Sequence, residues 1–277
     1  MECQLADITV FYEEYGEGTP MVIVHGYTPD HRLMTGCMEP SLRDRAGWRR
    51  IYLDLPGMGK TPAADWITST DDMLDVVLRF IEQVLPGQRF VIVGESYGGY
   101  LARGVLHERG ELVDGAFLLC PAIVAEYERR DVPSQTTLVH DPDLFNRLTP
   151  AEAEEFAAMA VVQSEHNWQR FRDEIMSGLM MADKAFLQRL QNGGRYSFSF
   201  DVDQQIFEAP TLILTGRQDA SVGYRDAWAL LENYPRATFA VLDRAGHNAQ
   251  IEQEALFSVM LSEWLDRVEE YQQNLSS

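Results

Sequence analysis

The sequence predicts an α/β fold, a mostly parallel central sheet with helices on both faces, interrupted once by an inserted helical cap. Short apolar runs, continuous rather than alternating as in strands buried on both faces, take turns along the chain with helical patterns. From residue 121 to residue 209 that rhythm stops, with helix starts but no convincing strand, and it resumes at Pro210. The expected organisation is a core of residues 1–120 and 210–277 and a helical cap of residues 121–209.

The elements follow in order. Strands are expected at residues 8–12, where apolar and polar residues alternate, then at 21–25 (MVIVH), 50–53 (RIYL), 90–93 (FVIV), 116–120 (AFLLC), 211–215 (TLILT) and 238–242 (TFAVL). Helices are expected at 70–84, 97–108, 225–233 and 252–268. Within the cap, Thr149-Pro150 before Ala151 and Glu152 is a helix start with Thr at the N-cap and Pro in the first turn. Helical patterns continue over 168–176 and 183–190 and stop at Asn192-Gly193-Gly194.

At 277 residues and 45% hydrophobic composition the chain has ample material for one such core with an insertion. Its net charge of -20, from 43 acidic and 23 basic residues, disfavours nucleic acid and anionic membranes as partners. Three widely spaced cysteines, Cys3, Cys37 and Cys120, form no C-x-x-C and point to reduced thiols and a cytoplasmic location. The N-terminus has neither a basic nor an apolar leader region, and no run approaches 18 apolar residues.

One stretch invites a different reading. Asp54 to Thr61, DLPGMGKT, ends like a phosphate-binding loop, yet Asp54 stands where the first glycine is needed and Pro56 removes a backbone donor. A carboxylate facing phosphate argues against nucleotide binding.

Chemistry is concentrated elsewhere. Gly94-Glu95-Ser96-Tyr97-Gly98 is a G-x-S-x-G directly after an expected strand and directly before an expected helix, a turn sharp enough to raise the Ser96 hydroxyl. A serine hydroxyl needs a base, and the base needs an orienting acid. Of the six histidines, His31, His140 and His166 lie in polar or loop contexts, His107 sits inside a helix and His25 ends a strand; His247 follows the last strand in a Gly246-His247 loop. Asp219, in the loop after strand 211–215, is the expected acid, with Glu126 as the alternative. All three expected catalytic residues, Ser96, Asp219 and His247, follow the C-terminal ends of strands, where open parallel sheets collect their sites. Backbone N–H groups of Tyr27 and Tyr97 are the expected oxyanion donors, with Gly26 letting the chain turn inward. The H-x4-D spacing of His25 and Asp30 is better explained by that same turn.

On His25-Gly26, the 54–59 DLPGMG turn, the 94–99 GESYGG elbow, residues 216–222 and Gly246-His247, the chain resembles the α/β-hydrolase-fold family. The resemblance covers residues 5–120 and 210–265 and is to the small esterase, carbon–carbon hydrolase and proline-aminopeptidase-like branches. It implies that the D-x-P-G-x-G loop is a structural turn, and Ser at the nucleophile position excludes relatives that use Asp there. Many relatives carry His where this chain has Glu95; a carboxylate beside the site would either raise the base's pKa or hold a polar substrate group, but the expected reading is a solvated elbow residue.

The expected function is that of a serine hydrolase forming an acyl-enzyme, a carboxylesterase on a small ester with an apolar acyl group. Carbon–carbon hydrolysis or aminopeptidase-like cleavage by the same triad, or a non-enzymatic ligand receptor, are the alternatives. No cofactor or metal is expected, and the expected partner is a small-molecule substrate of a monomer or homodimer. Gly26, Glu95, Trp168 and Phe171 are candidate substrate contacts, since the cap offers apolar surface.

Overall fold

In the computed structural model, which describes residues 1–193 and 195–275, apolar runs and amphipathic helices assemble in the alternating order their spacing implies. The strands are β1 (Glu2–Gln4), β2 (Thr9–Tyr15), β3 (Thr19–Val24), β4 (Trp48–Leu53), β5 (Phe90–Glu95) and β6 (Val113–Leu119), then β7 (Val139–His140), β8 (Val162–Gln163), β9 (Thr211–Gly216) and β10 (Ala237–Leu242). The helices are α1 (Arg32–Leu42), α2 (Thr70–Val84), α3 (Tyr97–Arg109), α4 (Pro142–Phe145), α5 (Pro150–Met159) and α6 (Glu165–Phe171), followed by α7 (Ser177–Leu179), α8 (Lys184–Asn192), α9 (Arg225–Trp228), α10 (Ala249–Glu252) and α11 (Glu254–Leu275). Gly194, in the expected helix stop, and Ser276 and Ser277 lie outside the described residues.

Eight strands form one sheet in the order β1-β2-β4-β3-β5-β6-β9-β10. β1 and β2 pair antiparallel, as do β2 and β4, and every other pairing is parallel. The central strands β5, β6 and β9 are buried along their whole length, which is why their sequences do not alternate. Helices α2 and α3 pack together, with α3 against β3, β5 and β6; α11 packs against β6, β9 and α1.

All seven expected strands are present. Three features differ from the sequence reading. β1 and α1 are additional, and the expected helix over 225–233 is broken into α9 and a 3₁₀ turn, Leu231–Asn233. Residues 121–209 are not strand-free, because β7 and β8 form a two-residue parallel ladder, Val139 opposite Val162 and His140 opposite Gln163. The segment's regular structure is otherwise helical and lies between residues 142 and 192, apart from one 3₁₀ turn at Tyr127–Arg129, with irregular chain over most of 121–138 and over 195–209. Thr149 accepts from the Glu152 N–H while Glu152 accepts from Thr149, the full capping box. Past Phe171 the helix widens into a π turn, Arg172–Met176. Because β6 and β9 are neighbours in the sheet, the chain leaves one strand and returns to the adjacent one.

Candidate active site

The turn between β5 and α3 lifts Ser96 out of the sheet. Its backbone lies at φ 53°, ψ -115°, a strained conformation for a residue with a side chain. Hydrogen bonds hold it there: Ser96 N–H donates to Leu119 O at 3.0 Å, and Ser96 O accepts from Tyr100 N–H at 3.1 Å and Ala122 N–H at 3.0 Å. Gly98 permits the elbow because a Cβ at that position would lie 2.2 Å from Val24 O, so only glycine lets α3 approach β3.

His247 and Asp219 reach Ser96 from the loops after β10 and β9. His247 Nε2 is 2.9 Å from Ser96 Oγ, and His247 Nδ1 is 2.9 Å from Asp219 Oδ2. Asp219 is fully buried, and its other oxygen accepts from the N–H groups of Ser221 at 2.8 Å and Val222 at 3.0 Å. The acid is therefore fixed before it meets the imidazole. Glu126 instead binds Ser197 and Arg129. Burial alone would push His247 down; the neighbouring Asp219 and Glu95 carboxylates outweigh it and raise the imidazole to about 9.

Tyr97 is the first residue of α3, so its N–H has no acceptor within the helix. Tyr27 follows Gly26 in the loop after β3, and its ring meets Tyr97 edge to face, centroids 5.2 Å apart. Tyr196, in the irregular chain between α8 and β9, stacks on Tyr97 at 5.2 Å and meets Tyr27 at 5.4 Å, while Tyr27 OH donates to Leu187 O at 2.5 Å. The two candidate oxyanion donors thus belong to residues locked together by aromatic packing. His25 is a buried structural histidine: Nδ1 faces Gly26 O at 2.7 Å and Nε2 accepts from the Leu55 N–H at 3.0 Å.

The 54–61 loop closes on itself. Asp54 accepts from the Lys60 N–H at 2.8 Å and from the His31 N–H at 2.9 Å, and the Gly57, Met58 and Thr61 N–H groups donate to carbonyls of the loop itself, so these donors do not face a phosphate. His31, a loop histidine by sequence, is buried, with Nδ1 2.8 Å from Asp54 and Nε2 3.3 Å from Glu13.

Glu95 corrects the sequence reading. It is 2% exposed rather than solvated, with Oε1 3.5 Å from His247 Nε2; burial, with the Asp219 charge adding, raises its carboxyl to about 7 although His247 opposes the shift. The periodicity of β5 could have indicated it, since Glu95 is the last residue of a strand buried on both faces. Glu252 has no such signal. Its carboxylate accepts from Gly246, Val161 and Val162 N–H groups, joining the His247 turn to the helical segment.

Ser96, His247, Glu95 and Gly26 line a cavity of about 180 Å³ whose apolar wall includes Leu33, Met159, Phe171, Ile175 and Leu179. Phe171 forms part of this wall; Trp168 packs behind it, against Phe156 and Phe171. Exposed Glu155 also borders an adjoining cavity of about 320 Å³ containing Lys184. A separate cavity of about 340 Å³ contains Arg89 and Arg103, whose charges are already paired with Asp114 and Asp203.

Residues 19–254 match the family model described as alpha/beta hydrolase fold. The chain belongs to this family. Among solved structures it is similar to an alpha/beta superfamily hydrolase from Oenococcus oeni PSU-1, at TM-score 0.86 and 30% identity over 97% of this chain and 99% of that one. Among curated proteins it is 23% identical to the pimeloyl-[acyl-carrier protein] methyl ester esterase of Legionella pneumophila (strain Corby), covering 93% of this chain and 100% of that one. It is 27% identical to the 2-hydroxy-6-oxononadienedioate/2-hydroxy-6-oxononatrienedioate hydrolase of Burkholderia vietnamiensis (strain G4 / LMG 22486), covering 94% and 92%. This alpha/beta hydrolase is a hydrolase enzyme, and no helix among its described residues is long and apolar enough to cross a membrane.

Proposed function

We propose that the protein is a carboxylic ester hydrolase that forms an acyl-enzyme on Ser96. The observation that carries this reading is the hydrogen-bonded line from Ser96 Oγ through His247 to Asp219, with Ser96 and His247 at the wall of a largely apolar cavity. In the proposed cycle Ser96 Oγ attacks the ester carbonyl as its proton passes to His247 Nε2, and the N–H groups of Tyr27 and Tyr97 receive the oxyanion. The alcohol leaves with the proton from Nε2. Water, deprotonated by the same nitrogen, then releases the acid and restores Ser96. No residue role in this cycle calls for a metal or cofactor. Residues 121–209 act as a cap that selects the acyl or alcohol group, with Phe171 as a contact. The enzyme works on small molecules in the cytoplasm, consistent with three buried free thiols.

A fluorophosphonate probe tests the assignment. Wild-type protein should be labelled at Ser96, Ser96→Ala should not be labelled, and labelling that persists at another serine would refute it. A second reading, carbon–carbon bond hydrolysis by the same residues, is favoured by the 27% identity to the Burkholderia vietnamiensis hydrolase. Comparing p-nitrophenyl esters with dicarbonyl substrates separates the two.

A further inference from the structure

His247 has a carboxylate on each side. Asp219 Oδ2 lies 2.9 Å from Nδ1, and Glu95 Oε1 lies 3.5 Å from Nε2, the nitrogen that also faces Ser96 Oγ. A serine–histidine–acid line needs only the first. Glu95 also brings its second oxygen against the chain at Gly26, where a Cβ would stand 2.2 Å from Oε2. Glycine at that position therefore serves the carboxyl group as well as the turn, and a side chain so placed is not a chance surface residue.

We propose that Glu95 is a second anionic partner of His247, a positioning residue that takes the Nε2–H hydrogen bond once Ser96 Oγ has bonded to the substrate carbonyl carbon and that sets the acid limb of activity. This rests on the roles assigned above to Ser96 and His247. On attack the Ser96 O–H bond breaks, an Oγ–C bond forms as the carbonyl π pair moves to its oxygen, an N–H bond forms on Nε2, and the imidazole becomes imidazolium with no change of oxidation state. In the tetrahedral intermediate Ser96 Oγ is bonded to the substrate carbon and is a poor acceptor, so Nε2–H turns to Glu95 Oε1. The proton then leaves with the alcohol.

The charged surroundings set the direction. His247 is faced by Asp219 from the loop after β9, by Glu95 from the end of β5 and, at longer range, by Arg130, which opposes protonation. Glu252 holds the adjoining Gly246 N–H, the Cys120 thiol contacts Gly246 O, and Glu155 borders the cavity from α5. Cys120 is pushed well above its ordinary range by burial and remains a thiol. Two carboxylates therefore favour the imidazolium against burial, and its raised pKa keeps the base largely protonated at neutral pH. Activity should rise through the alkaline range. Above about pH 7, where Glu95 is ionised, removing its charge destabilises the imidazolium both at rest and in the transition state, so it helps along the acid limb and harms at the alkaline plateau.

The test is kcat/KM for p-nitrophenyl acetate across the pH range in wild type, Glu95→Gln and Glu95→His. Each variant should move the acid limb down by about one pH unit or more and lose several-fold at the alkaline plateau, so that its profile crosses that of wild type. A uniform loss with an unmoved limb would overturn the proposal and leave Glu95 a packing residue. Ser96 labelling in the same samples keeps the two readings apart: lost labelling of wild type retires the Ser96 assignment, whereas parallel profiles with labelling intact retire only the role of Glu95. Should neither variant fold, wild-type protein carrying ¹³C-carboxyl glutamate and ¹⁵N histidine decides. Glu95 and His247 signals that titrate together support the pair, and independent transitions overturn it.

Discussion

Glu252 Oε2 accepts the Gly246 N–H at 2.6 Å, fixing the residue immediately before His247. Its Oε1 accepts from Val161 at 2.6 Å and Val162 at 2.8 Å, so one side chain ties the His247 turn to the helical segment. Glu252→Ala would leave three buried donors without their acceptor. The expected cost is about 2–5 kcal/mol, seen as a clear fall in Tm by calorimetry. Because His247 loses its brace, kcat should fall at least about tenfold at temperatures where the variant is still folded. Wild-type turnover in a folded variant would show that the turn needs no brace.

Asp219 offers a sharper test. In Asp219→Asn one amide group must face either His247 Nδ1 or the Ser221 and Val222 N–H groups, and each choice replaces an acceptor by a donor. The wrong histidine tautomer follows, and kcat should drop by about 10³ or more. Combined with Ser96→Ala, the loss should be no greater than for Ser96→Ala alone, because the residues act as a unit. Additive losses would assign Asp219 a separate role.

The buried His31 predicts a pH-dependent term in stability. Burial pushes its pKa down, but the hydrogen bond and charge of Asp54, with Asp30 and Glu13 behind it, raise it above the ordinary value. A raised folded-state pKa means that this stabilisation is fully present below about pH 6.5, the unfolded value, and is lost as pH rises through the folded one. The difference in unfolding free energy between wild type and His31→Gln should therefore shrink from mildly acidic to alkaline pH. Urea unfolding of both proteins at several pH values measures it, and a constant difference would mean that His31 is neutral throughout.

These residues also mark how far sequence reasoning reaches. That Ser96, Asp219 and His247 lie together was legible because each follows an apolar run, and a parallel sheet delivers the C-terminal ends of its strands to one edge. Helix α2 matched its expected range to the residue because Ser69 caps it through the Asp72 N–H and its apolar face is continuous. Helix α1 carries no clear sequence signal because Gly36 and Pro40 lie inside it, and strand β1 carries none because three residues make too short a pattern. Glu95 and Glu252 show a deeper limit. The apolar run of β5 hints only that Glu95 is buried; the partners that hold these carboxylates, such as His247 and Val161, lie far away in the chain, and single-sequence periodicity carries no trace of them.

The last prediction concerns substrate choice by residues 121–209. Phe171 lines the cavity at Ser96, whereas Trp168, one turn earlier in α6, packs against Phe156 and Phe171 away from it. The two aromatic residues should therefore respond differently to truncation. Phe171→Ala enlarges the cavity wall, and each methylene that then fits is worth about 1–3 kcal/mol, so the preferred acyl length in a p-nitrophenyl ester series should lengthen. Trp168→Ala removes buried contacts behind the wall and should lower Tm, at a cost of about 3–5 kcal/mol, with the order of preference changed less. Ser96 labelling should survive in both, since no atom of the Ser96–His247–Asp219 line belongs to the segment. A uniform loss of activity across all esters in Phe171→Ala, with labelling lost as well, would mean that the segment supports the catalytic fold and does not select the substrate.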